Sequence, residues 1–129
     1  MWYKNAIGKE KIQFMFNNEF DIELFELYSI SLEKNSELKC NLICKGIPKN
    51  HPKKWDKLEF NALILKIIFN EIIQMNISGT KIGFFCLPKI NSSIDYSEIT
   101  IKYGKFQLYC KSKFLTIDNI TPYIDIRWD

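Results

Sequence analysis

The chain has 129 residues, 18 basic against 15 acidic side chains and a net charge of +3. This is enough polypeptide for one self-supporting core, and the excess of positive charge is too small to make nucleic acid the default partner. Hydrophobic residues at 47% and charged residues at 26% match a globular chain, arguing against both disorder and membrane residence.

The opening Met1-Trp2-Tyr3-Lys4-Asn5 lacks the basic start and apolar core of a secretory signal, so a cytoplasmic location is expected. After Gly8, the spacing of Ile12, Met15 and Phe16 predicts a short helix over about 9–16, stopped by Asn17-Asn18. Trp2 and Tyr3 beside this helix are expected to seal one edge of the core. Glu19, Asp21, Glu23 and Glu26 then form an acidic stretch suited to meeting a basic partner surface.

From Tyr28 the period becomes two. Tyr28, Ile30 and Leu32 form one strand and Leu38, Cys40, Leu42 and Cys44 a second, with Lys34-Asn35-Ser36-Glu37 as the turn of an antiparallel hairpin. Cys40 and Cys44 share a strand, where four residues of extended chain separate their Cα atoms by roughly 13 Å, too far for a disulfide. The four cysteines are therefore read as reduced, packed thiols.

Gly46-Ile47-Pro48 ends the hairpin and leads to a polar loop, Lys49 to Lys57, stiffened by Pro52. Lys49, Lys53, Lys54 and Lys57 beside Trp55 invite a nucleic-acid reading, but arginine is scarce, and a solvated lysine loop anchored by Trp55 is the simpler expectation. Leu63 to Phe69 predicts a central strand, since Ile64 and Ile68 make its apolar run nearly continuous. Asn70-Glu71 is expected to turn the chain before a strand at Ile73 to Ile77, and Ile82 to Leu87 predicts a further strand.

Pro88 to Ser93 reads as a loop, followed by Ile99 to Tyr103 and Phe106 to Cys110 as a tight hairpin about Gly104-Lys105. Phe114 to Ile117 and Tyr123 to Ile126 give two last strands, separated by Asp118-Asn119 and Pro122. The chain thus reads as a single domain over 1–129, mainly β. An antiparallel sandwich or partly rolled sheet of about eight to nine strands with one short N-terminal helix is expected, with α+β as the alternative.

Chemistry is harder to find. His51 is the sole histidine, in a loop without a nucleophile motif, and is read as solvated. Neither a zinc-ligand spacing nor a phosphate-binding glycine motif occurs, so no catalytic residue, metal or cofactor is assigned. The longest apolar stretch, Leu58 to Ile77, is broken by Glu59, Lys66 and Glu71 and does not read as a membrane span.

Several features coincide in order: Trp2-Tyr3 before the helix, the Tyr28 to Leu32 strand and its partner, Ile47-Pro48, Pro52-Lys53-Lys54-Trp55, and the apolar Phe60 to Phe69. In this the chain resembles the immunity protein 50 family of bacterial polymorphic toxin systems. The resemblance implies a cytoplasmic antidote that grips a cognate toxin and has no enzymatic activity. Trp55 and Trp128 are then the preferred aromatic anchors, with Lys53, Lys54 and Asp125 setting register and Glu19, Asp21 and Glu23 as an acidic docking stretch. A homodimer, or a small nucleic-acid-binding β domain, is the alternative reading.

Overall fold

The computed structural model describes residues 1–21 and 24–127. Helix α1 (Glu10–Phe16) buries Ile12 and Phe16, the inward side of the predicted period. It stops at Asn17, whose left-handed φ of 52° turns its N–H back onto the Ile12 carbonyl.

Seven strands follow: β1 (Phe25–Glu33), β2 (Glu37–Cys44), β3 (Ala62–Ser78), β4 (Phe85–Cys86), β5 (Lys89–Ser92), β6 (Ser97–Tyr103) and β7 (Phe106–Tyr123). They form one antiparallel sheet in the order β4-β1-β2-β3-β7-β6-β5. Both predicted hairpins are present. The β1–β2 hairpin pairs Glu33 with Glu37, and the β6–β7 hairpin pairs Tyr103 with Phe106 across Gly104, whose φ is +56°.

The predicted strand number is too high because three expected breaks do not end a strand: β3 runs through Asn70-Glu71, and β7 runs both from Cys110 to Phe114 and past Asp118-Asn119 and Pro122. Asn70-Glu71 does not reverse the chain: β3 runs through it, with Glu71 at a φ of +55° and a register shift between Ile72 and Gln74. Asp118 is the extra residue of a bulge opposite Lys66 and Ile67, so β7 continues past Asp118-Asn119. Pro122 is tolerated within β7 because β6 covers only Phe106 to Ser112, leaving no ladder partner for the missing N–H on that side. Elsewhere the boundaries move. The strand expected over Ile82 to Leu87 shrinks to Phe85–Cys86, the loop expected over Pro88 to Ser93 contains β5, and Tyr123 to Ile126 is the end of β7 followed by a turn.

These bends roll the sheet. A straight β3 would carry Ser78 roughly 43 Å beyond Leu65. Yet the Gly79 to Phe84 segment, which spans at most roughly 20 Å, brings Phe84 back to Leu27, where Phe84 O accepts from the Leu27 N–H at 3.0 Å. The two edge strands, β4 and β5, are joined only by Leu87-Pro88, so Cys86 and Lys89 lie within roughly 11 Å of each other. A partly rolled sheet, and not two separately paired layers, is therefore the architecture.

The rolled interior takes every second residue: Leu38, Cys40 and Leu42 from β2, Leu63 to Phe69 from β3, and Leu108, Cys110, Leu115 and Ile117 from β7. The N-terminal segment plugs one end. Trp2 and Tyr3 are buried, with Trp2 Nε1 donating to the Phe20 carbonyl at 2.9 Å and Tyr3 Oη to that of Asn18 at 2.8 Å. Ile7 bridges the β7 edge in parallel at Thr116, and Gly8 makes this approach possible: at φ +85°, an added Cβ would lie 2.6 Å from the Ile117 carbonyl oxygen.

Candidate partner-binding surface

The residues picked out by sequence fall into two environments. Lys53 and Lys54 stand exposed on a short 3₁₀ turn, Lys53–Lys57, and Glu19 and Asp21 are exposed on the segment after α1. Asn50 Nδ2 donates to Glu19 Oε2 at 3.0 Å, joining that segment to the loop. Between them lies a shallow cleft of about 330 Å³, with Glu19 and Asp21 on one wall and Gly46 to Lys49 on the other. Glu23 and Trp128 lie outside the described residues.

Trp55 does not stand on the surface as an anchor. It is 4% exposed, edge-on to Phe16 and Phe60 and stacked on His51 at 6.2 Å. The proline-braced turn aims the indole inward because the aromatic residues of α1 and the strand-leading Phe60 offer it more apolar contact than water does. His51 is likewise not a freely solvated side chain. Its Nδ1 lies 2.9 Å from the Pro48 carbonyl and its Nε2 2.8 Å from Asp56 Oδ1, so two acceptors flank the ring and raise its pKa, the Pro48 carbonyl most.

Asp125 also turns inward. It is 2% exposed and is held by Arg127, whose guanidinium spans Asp125 and the buried Glu26, with Nη2 2.6 Å from Asp125 Oδ2 and 2.8 Å from Glu26 Oε1. The bonds from Arg127 hold the Asp125 carboxyl below its usual range. Glu26 is thereby removed from the acidic stretch. Asp125 and Glu26 fasten the C-terminal turn over the outer face of β1 and β2, and both carboxylates are buried beneath Arg127 and not presented to a partner.

A different region has the shape of a docking site. At the far end of the rolled sheet, the Gly79 to Phe84 loop and the β6–β7 turn enclose an apolar hollow of about 470 Å³. Phe84 lies flat on Tyr103, centroids 4.5 Å apart and planes at 4°, and meets Phe106 at 5.1 Å. Gly79 lets the loop close onto the sheet, since an added Cβ would sit 2.9 Å from Phe106 Cα. Tyr103 and Ile82 remain 54% and 42% exposed. Exposed Lys81 and Lys105 stand on the rim, and Lys102 lines an adjoining depression with Asn76, Thr100 and Tyr109.

Sequence reasoning passed over this end, although a signal was present. No Asp or Glu occurs between Ile72 and Ile94 or between Ile99 and Ile117, while Lys81, Lys89, Lys102, Lys105, Lys111 and Lys113 all do. The modest net charge hides this segregation. Among the described residues, no group of three His, Cys, Asp or Glu side chains is arranged to hold a metal ion.

The sequence pattern of the family described as Immunity protein 50 matches residues 8–123. The chain belongs to the immunity protein 50 family. The match covers the helix, the Pro52 to Trp55 turn and every strand of the sheet, so the family's pattern is the rolled sheet itself. No curated protein and no solved structure matches the chain. An immunity role in toxin systems follows from membership of the immunity protein 50 family. Among the described residues, no helix is long and apolar enough to cross a membrane.

Proposed function

We propose that this protein neutralises a cognate toxin of its bacterial system by direct protein–protein contact, as an occluding antidote and not as an enzyme. The reading rests on family membership, and one observation carries the mode of action: the open, aromatic-floored hollow at the distal end. The hollow's floor, Phe106 with Phe84 packed on it, is continuous with the core, while Tyr103 and Ile82 beside it stay exposed, so the fold leaves an apolar concavity open to solvent. Rigid aromatic groups in a concave, desolvatable setting are what concentrates binding energy at protein interfaces.

The test is co-expression with the toxin domain encoded beside this chain's gene, in the reducing cytoplasm where we place the protein's action. Survival of the host and co-purification of the two chains are expected. Continued toxicity with the antidote abundant and folded would defeat the reading.

A second reading, a homodimer, is favoured by one feature. Beyond Ile72, whose N–H reaches Ser36, the β3 segment Gln74 to Ser78 has β7 on one side and no strand on the other among the described residues. Sedimentation equilibrium across a hundredfold dilution separates this from a monomer that waits for its toxin.

A further inference from the structure

Resting on the toxin-binding reading, we infer that the distal hollow takes an acidic segment of the toxin, with one apolar side chain seated against Ile82 and the exposed side of Tyr103 and carboxylates meeting Lys81 and Lys105 on the rim and Lys102 in the adjoining depression. The hollow is lined by one loop and one hairpin turn, and the only charged side chains on its rim are lysines. The adjoining depression adds Lys102 and again no acid. None of these three amines lies within ion-pair distance of a carboxylate among the described residues, so a partner carboxylate displaces water and no internal bridge.

The acidic side chains are confined to other stretches of the chain, at 10–37, 56–71, 95–98 and from 118 onward. In space Glu98 comes nearest on the Lys102 side, where it accepts from Tyr109 Oη at 2.9 Å, whereas the hollow itself is bordered by Lys81 and Lys105 and favours approach of a negatively charged surface. A peptide fits better than single-stranded nucleic acid. Phe84 spends one ring face on Tyr103 and also meets Phe106, which leaves Tyr103 as the exposed ring for a base, and lysine in place of arginine supplies point charges without planar, bidentate recognition.

The experiment uses the full chain and the purified toxin domain encoded beside its gene, with affinity measured by calorimetry at low and moderate salt. The variants are Lys81→Glu/Lys102→Glu/Lys105→Glu, the milder triple change to glutamine, and Lys53→Glu/Lys54→Glu as a control outside the hollow. All five positions of substitution are exposed lysines, and circular dichroism melts establish that each variant is folded.

The expected result is a loss of affinity of about tenfold or more for the glutamate triple, a smaller loss for the glutamine triple with a weaker salt dependence, and little change in the control. Toxin binding within about twofold of the parent by both triple variants overturns the inference and leaves the toxin-binding reading standing. Displacement of the toxin by a single-stranded oligonucleotide that binds the hollow overturns it in favour of nucleic acid. If the unaltered chain does not bind the toxin at all, the reading beneath it falls and takes this inference with it.

Discussion

Arg127 reaches back across the fold to Glu26, placing Nη2 2.8 Å from Oε1 and Nη1 3.2 Å from Oε2. The same guanidinium binds Asp125 through Nε and Nη2, at 2.9 and 2.6 Å, so one half-exposed cation satisfies two buried carboxylates. This clamp decides where the chain ends up after β7.

Replacing Arg127 by alanine removes the guanidinium that both buried carboxylates share and leaves Asp125 only the weaker influence of Lys45, and stranding buried charge in this way is the costly half of breaking an ion pair. The expected outcome is a clear fall in Tm at neutral pH, partly recovered in Arg127→Ala/Glu26→Gln/Asp125→Asn. In the parent, Asp125 has a lowered folded pKa, so its contribution is present above the ordinary carboxylate range and is lost as pH falls through the folded value. The Tm deficit of Arg127→Ala should therefore narrow on acidification, as read by melts from about pH 7 down to about pH 3.5.

His51 produces the opposite slope. Its folded pKa is raised by the Pro48 carbonyl and by Asp56, so its stabilisation is full below the ordinary value of about 6.5 and fades as pH rises through the folded value. Comparing the melts of the parent and His51→Gln between about pH 5.5 and pH 8.5 should show a difference that shrinks with rising pH. A constant difference would mean that His51 acts only by packing on Trp55.

Trp55→Ala should destabilise by about 3–5 kcal/mol in urea unfolding, because a fully packed indole leaves a cavity against Phe16 and Phe60. Trp55→Phe should recover much of this. Since Trp55 is 4% exposed, any loss of toxin protection should follow the unfolded fraction and vanish at temperatures where the variant is folded.

Two glycines should respond differently to substitution. Gly8→Ala meets both a φ of +85° and the Ile117 carbonyl 2.6 Å away, and should cost about 1–3 kcal/mol. Gly104→Asn, at a φ of +56° with open space around it, should stay within about 0.5 kcal/mol of the parent. Equal costs at both sites would show that the Ile7–Thr116 bridge contributes little.

All four cysteines are buried and outside any disulfide, and burial pushes the Cys40 thiol up to about 12 and those of Cys86 and Cys110 up to about 11. A thiol-specific reagent at about pH 8 should therefore label the native chain only at the rate of unfolding. Fast labelling in the absence of denaturant would contradict this packing.

Much of the local structure was legible because it depends on neighbours in sequence. The helix stop at Asn17, both hairpins and the inward row Leu63, Leu65, Ile67 and Phe69 follow from the alternation of apolar and polar residues and from a few turn residues. Family membership was legible too, since the resemblance drawn from the order of short segments, among them Pro52 to Trp55 and Phe60 to Phe69, agrees with the family match over residues 8–123. Whether Asn70-Glu71 and Asp118-Asn119 reverse a strand or bend it was not, because polar residues serve both purposes and only the strand across the ladder chooses.

The candidate site depended still more on the tertiary structure. Sequence determined that the chain is a β-rich member of an immunity family, with its acidic residues and a run of lysines in separate stretches, since composition and periodicity are properties of the chain itself. Only folding decided that Trp55 faces the core, that Asp125 and Glu26 share Arg127, and that Phe84 meets Tyr103 in a hollow bordered by Lys81 and Lys105. The reason is physical: which face of a residue meets water depends on elements that are distant in sequence, and those distances are set by the rolling of the sheet.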